Sequence, residues 1–334
     1  MSRTTIAVVG LGRIARSHID GILQWPDRCE LGAVVDVDEN RARAFATEFD
    51  VPYHTATEEV YANPEIDAVV ICVPHHLHAP LTVEACEAGK HVLVEKVMAR
   101  SVSEGREMVE AADENDVNLM VGQSRRFFPA LRQAYERRRE IGEAVNLLYT
   151  FTPYFDVDVA PDWWQSAEKT GGLVYPMLGS HSIDYTLWML GEKDPVAVYA
   201  EGGSNNPDFE GHDDVTVLIR FDDGTHATNF LSINNPDPVH EGLVIGTDGS
   251  IDWEQTGDHA GELVGVASTE MSLNGNPVEV DDDLPHNFAL QMREFVDSIR
   301  AGRNPNPSGE EILTQLSIIE AAKQSAEEDR LVGL

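Results

Sequence analysis

The chain has 334 residues, with 58 acidic against 24 basic side chains and a formal net charge of −34. That excess excludes nucleic-acid or anionic-membrane binding through the general surface, because phosphates would meet a repulsive field. A hydrophobic content of 42% excludes a wholly disordered acidic chain, and at roughly 100–200 residues per domain the length implies about two domains.

Only five of the basic residues are lysines: Lys90, Lys96, Lys169, Lys193 and Lys323. The acids are spread along the chain. A fold carrying this self-repulsion needs screening, and at ~1 M salt the Debye length is about 3 Å. The composition therefore points to a halophilic cytoplasm. Cys29, Cys72 and Cys86 show no metal or redox spacing and read as reduced core thiols. No apolar run reaches the ~18 residues of a membrane span. Met1 to Gly12 runs straight into a strand without the parts of a secretory leader.

Strand and helix signals alternate over the first 120 residues. Thr5–Val9, Leu31–Val37, Ala68–Val73, His91–Val94 and Asn118–Val121 are short apolar runs suited to strands buried on both faces. Ala42, Phe45, Ala46 and Phe49 follow helical spacing, with Asp38 as the cap. Pro80 starts another helix that Gly89 stops. This order predicts a doubly wound α/β domain. Beyond residue 122, Val145–Thr152 reads as a strand. Val215–Phe221 and Thr225–Leu231 form a hairpin around Asp222-Asp223-Gly224, and strands follow at Gly242–Gly246 and Ser250–Trp253. Gly202–Asp214 reads as a solvated acidic loop. Phe288, Met292, Phe295 and Ile299 mark a late helix, and Ser308 with Glu311 forms a capping box before another.

Gly10-Leu-Gly12-Arg-Ile-Ala15 joins the first strand to a helix. Gly10 allows the tight turn, Gly12 lets backbone approach a pyrophosphate, and Ala15 lets the helix pack close to the strand. The helix N-terminus offers N–H groups and partial positive charge to phosphates. Asp36 ends the second strand, where a carboxylate accepts the adenine-ribose hydroxyls of NAD. It would also repel a 2′-phosphate, by about 4 kcal/mol at ~4 Å and an effective dielectric of 20. NAD is therefore favoured, with NADP left open by Arg41 and Arg43.

The chain resembles the glucose–fructose oxidoreductase, inositol dehydrogenase and rhizopine-catabolism (Gfo/Idh/MocA) oxidoreductases over nearly its whole length. The matching segments are the glycine turn through His18, Val73-Pro-His-His-Leu-His-Ala-Pro80, Ala88 to Lys96, Arg125-Arg-Phe127, Gly171-Gly172, Gly179-Ser-His-Ser-Ile-Asp184 and Arg293 to Arg300. The resemblance implies a Rossmann domain over 1–122. A substrate-binding and oligomerisation α/β domain with a large, mostly antiparallel open sheet follows over 123–334, its last helices able to pack back on the first. It also implies hydride transfer at a carbinol carbon of a sugar, cyclitol or related polyol, by a homodimer or homotetramer.

Carried over by position, Glu95-Lys96 matches the family's Glu-Lys-Pro motif, with Val97 in place of proline. The resemblance implies that Lys96 lies between nicotinamide and substrate and exchanges the hydroxyl proton. His181 matches the histidine of the second-domain active-site helix. Asp184 supports it, and Met177 stands where an aspartate is usual. The resemblance implies cofactor contacts at Gly10, Gly12, Arg13, Ile14, Asp36, Val73, Pro74, His75, His78, Glu95 and Lys96, with His75 replacing an asparagine. It implies substrate contacts at Lys96, Arg126, Trp163, Met177 and His181. His75, His76 and His78 lack the further Cys or His partners of a tetrahedral metal site, so no metal is expected. Two other readings stay open: transient use of tightly held NAD in hydrolysis, epimerisation or dismutation, and a noncatalytic NAD-binding sensor.

Overall fold

The computed structural model describes residues 3–256, 268–280 and 284–334. The first two positions, part of the leader reading at Met1 to Gly12, lie outside the described residues. The chain divides into two units, Met1–Phe127 with Pro285–Leu313 and Phe128–Leu284 with Thr314–Leu334.

In the first unit β1 (Thr4–Val9), α1 (Ala15–Leu23), β2 (Cys29–Val35), α2 (Glu39–Phe49), β3 (Tyr53–His54), α3 (Glu58–Tyr61), β4 (Ala68–Ile71), α4 (His78–Glu87), β5 (His91–Glu95), α5 (Val102–Glu114) and β6 (Leu119–Gly122) follow in order. The strands form one parallel sheet, ordered β3-β2-β1-β4-β5-β6. β4 and β6 are buried at every residue, as expected where helices cover both faces. The order reverses between β1 and β4, which places a ligand crevice beyond their carboxyl ends.

Local chemistry sets the boundaries. The Asp38 carboxylate caps α2, accepting the Asn40 and Arg41 N–H groups. Gly10 has φ +85°, and a Cβ there would lie 2.6 Å from the Cys72 carbonyl oxygen. Cys29, Cys72 and Cys86 are buried free thiols. Several sequence boundaries move. β2 begins at Cys29 and stops at Val35, so Asp36 sits just past the strand end. α4 begins at His78, two residues before Pro80. The two-residue β3 has no sequence signal of its own.

The second unit contains α6 (Pro129–Arg137), β7 (Ala144–Tyr154), α7 (Ala167–Thr170), α8 (Val174–Met177), α9 (Gly179–Leu190), β8 (Pro195–Gly203), β9 (Asp214–Phe221), β10 (His226–Ser232), β11 (Asn234–Gly246), β12 (Ser250–Thr256), β13 (Ser268–Leu273) and β14 (Asn276–Val278). Then come α10 (Asn287–Ala301), which belongs to the first unit, α11 (Gly309–Glu328) and β15 (Val332–Gly333). The nine strands form one sheet, ordered β14-β13-β12-β11-β7-β10-β9-β8-β15. β7 and β10 pair in parallel, and the other neighbouring pairs are antiparallel.

β9 and β10 form the expected hairpin, with Thr228 opposite Leu218. The acidic loop reading needs correction at both ends. Gly202 and Gly203 belong to β8, and Asp213 is fully buried. The Asp213 carboxylate organises the loop by accepting the Asn205 and Asn206 N–H groups and the Asn234 amide. A buried carboxylate must find such donors, because an unpaired one is costly to desolvate. One sheet face is open, leaving Leu148, Leu218, Phe230 and Ile245 each more than a third exposed.

Candidate active site

In the first unit, the residues singled out in the sequence gather at the carboxyl ends of the parallel strands. No side chain caps α1, and its first turn carries no acid. Its N-terminal N–H groups thus suit an anion. Gly12 is exposed and a Cβ there would meet nothing within 4 Å. Its small size leaves open space above the turn, whereas Gly10 is demanded by the chain itself. The Asp36 carboxylate is 6% exposed and holds this turn in place. Its Oδ2 accepts the Leu11 N–H at 2.8 Å and an Arg41 guanidinium N–H at 3.1 Å, while Oδ1 accepts the Asp38 N–H. This glycine turn, bare helix end and acid fit a nicotinamide dinucleotide.

The Val73–His78 turn follows β4. His75 and His78 are buried, their rings edge-to-face at 5.6 Å. His78 Nδ1 lies 2.7 Å from the Val97 carbonyl oxygen and Nε2 lies 2.8 Å from that of Val73. Both carbonyls only accept, so a neutral ring donates to one of them. Burial pushes the imidazole below its usual range, favouring the neutral form.

Lys96 directly follows β5. The Lys96–Val97 peptide is cis and Val97 is fully buried. Desolvation brings the Lys96 amine down to about 8, against the raising influence of Glu95 and with the help of Arg125. An ordinary lysine would be about 0.4% neutral at pH 8, whereas this one is about half neutral. Glu95 is itself gripped by His18, at 2.7 Å between Oε1 and Nε2.

Arg126, assigned to substrate in the sequence, is 5% exposed and bonded within the first unit to Glu311 at 2.7 Å and Asn306 at 3.0 Å. Ser308 caps α11 by accepting the Glu311 N–H. The Glu311 side chain turns to Arg126, so the expected capping box is corrected to a one-sided cap, because a buried guanidinium competes better for that carboxylate. Among the described residues no cluster of three or more His, Cys, Asp or Glu has metal-holding geometry.

The second unit carries His181, Asp184 and Tyr185 on α9, which is buried nearly all round, and Met177 on α8. His181 meets Phe151 edge-on at 6.3 Å. Trp163 lies edge-to-face with Trp164, which packs on Phe155 at 4.7 Å. Sequence reasoning missed a polar chain on the same sheet. Tyr149 donates its hydroxyl to His240 Nε2 at 2.7 Å, and His240 Nδ1–H donates to Gln255 Oε1 at 2.5 Å. Phe151 stacks on that imidazole at 4.3 Å, and Trp253 donates to the Tyr185 hydroxyl. Residues far apart in the chain build it, so no local spacing announces it.

Residues 4–123 match the Gfo/Idh/MocA family model for the oxidoreductase family's NAD-binding Rossmann fold, and residues 138–334 match the model for its C-terminal alpha/beta domain. The chain belongs to this oxidoreductase family. It is 25% identical to the D-xylose 1-dehydrogenase [NADP(+)] of Haloarcula marismortui, over 98% of this chain and 92% of that one. It is 29% identical to the scyllo-inositol 2-dehydrogenase (NAD(+)) of Bacillus subtilis, over 90% and 87%. The fold matches the aldose-aldose oxidoreductase of Caulobacter crescentus, solved with glycerol, at TM-score 0.89 and 24% identity with full coverage of both chains. Family membership accounts for the parallel sheet order and the glycine turn together.

Proposed function

We propose that this protein is an NAD-dependent dehydrogenase that oxidises a carbinol carbon of a sugar, cyclitol or related polyol. The observation that carries the reading is the Lys96 amine at the carboxyl end of β5, brought down to about 8 by burial. Bound NAD would supply the hydride acceptor at its nicotinamide ring. Gly10, Gly12, Arg13 and Ile14 hold its phosphates, Asp36 its adenine ribose, and Val73, Pro74, His75, His78 and Glu95 line its inner half. Lys96 takes the substrate hydroxyl proton as the carbon gives up hydride. His181, supported by Asp184, orients the hydroxyls, while Met177, Trp163 and Arg126 shape what is accepted. Support comes from the sugar and inositol dehydrogenases among its relatives.

The test is a panel of sugars and polyols with NAD, read as absorbance at 340 nm. Oxidation at saturating substrate should rise through about pH 8 and then level, because only the neutral amine accepts a proton. A rate flat from about pH 6 to 10 would exclude Lys96 as the acceptor. Retained NAD with substrate turnover and no absorbance change would move the reading to transient redox chemistry.

We also assign the protein to a halophilic cytoplasm, supported by its charge of −34 and its five lysines. Its melting temperature should rise by at least about 5 °C between about 0.1 M and 3 M KCl, as screening shortens the Debye length. No rise would remove that assignment. Among the described residues no helix is long and apolar enough to cross a membrane. The open sheet face bearing Leu148, Leu218, Phe230 and Ile245 is the surface we assign to a second copy of the chain.

A further inference from the structure

We propose that His18 is a positioning residue for Lys96: from the helix after the glycine turn it grips one oxygen of the Glu95 carboxylate, whose other oxygen holds the Lys96 main-chain N–H. The proposal rests on the reading of Lys96 as proton acceptor, and deepens it.

Three observations meet here. His18 is fully buried, and its Nε2 lies 2.7 Å from Glu95 Oε1. Its Nδ1 has no hydrogen-bond partner among the described residues, and its ring lies edge-on to Phe288 at 5.0 Å. The one polar bond of this side chain is therefore to Glu95, with Nε2–H donating. Glu95 Oε2 accepts the Lys96 N–H at 3.1 Å, fixing the peptide that launches the lysine. Gly122 on the neighbouring β6 leaves the space, since a Cβ there would lie 3.1 Å from Glu95 Oε1. An apolar side chain would fill the His18 site at less cost than a buried imidazole and carboxylate, which repay their desolvation only by what they hold. On the far side, the Val97 carbonyl oxygen is within reach of His78. Lys96 thus stands between two pinned peptide groups, reached from α1 and from α4.

The charges facing this segment give the expected sign. Glu95 and Arg125 act on the Lys96 amine, and Glu95 also faces Cys72 and His78. In His18→Phe the Glu95 carboxylate loses the donor that aligns it beside Lys96. Its raising influence on the Lys96 amine then weakens, and the amine titrates lower.

The experiment is competitive acylation of the full-length protein across pH. Mass spectrometry follows Lys96, with the other four lysines as references. His18→Phe should lower the Lys96 midpoint by about half a unit or more. It should also lower kcat by about 10–100-fold with KM little changed, because misaligning a reacting group costs that much. His18→Gln, whose amide still donates to Glu95, should restore most of both. An unchanged Lys96 midpoint with unchanged kcat in folded His18→Phe overturns the proposal. Should that variant fail to fold, the smaller His18→Leu decides it: a lowered midpoint supports the grip, and an unmoved one overturns it. The labelling does not depend on turnover. If Lys96→Met retained full activity, Lys96 would leave the reaction while the labelling still judged the grip.

Discussion

Replacing Lys96 by Met is expected to cost about 10²–10⁴-fold in turnover, the usual worth of a positioned proton acceptor. Methionine has nearly the length of lysine and no charge, so it fits the partly buried place after β5 without stranding an ion. Dinucleotide affinity should stay within a few-fold of the parent, because the glycine turn, the α1 N-terminus and Asp36 are untouched. The checks are kcat at saturating substrate and calorimetric titration with NAD. Near-parental turnover would remove Lys96 from the chemistry.

Asp36→Ala is the second large effect expected, and it falls on the cofactor. The carboxylate already accepts three hydrogen bonds, from Leu11, Asp38 and Arg41. A carboxylate has about four such sites, so binding both ribose hydroxyls requires Arg41 to leave. Removing the acid should weaken NAD by about 10–100-fold, since hydrogen bonds to charged groups are worth about 1.5–3 kcal/mol. NADP should lose much less, because the repulsive charge goes and the half-exposed Arg41 becomes available to a 2′-phosphate. Titration with each dinucleotide reads the ratio. An unchanged ratio would show that Asp36 serves only to brace the turn.

Much of the first unit was legible because a parallel sheet covered on both faces writes each strand as an unbroken apolar run. The runs at Thr5–Val9 and Ala68–Val73 needed no further help. β11 shows the opposite case. Only Gly242–Gly246 reads as strand, yet the element begins at Asn234. Pro236 and Pro238 argue against a strand interior, and the ladder skips them by shifting register between Asn234 and Val239. β14 and β15, of three and two residues, are too short to show a period.

The candidate site divides the same way. Glycines, the acid after β2 and the lysine after β5 sit where strand ends make them visible. His18 in a helix interior looks like any core residue, because its partner lies 77 positions away. Arg126 shows a further limit, since its bond to Glu311 joins segments that no local pattern connects.

The return of α10 to the first unit bears on biosynthesis. Trp25 on the α1–β2 connection donates to the Ala289 carbonyl oxygen at 2.6 Å, Arg28 pairs with Asp297, and the β6 residue Val121 donates to the Pro307 carbonyl oxygen. Those partners leave the ribosome only after the intervening stretch Phe128–Leu284 of the second unit has been made. A nascent amino-terminal segment therefore waits with the flank of α1 uncovered until α10 has been made, and a fragment ending near β6 would carry that exposed seam permanently.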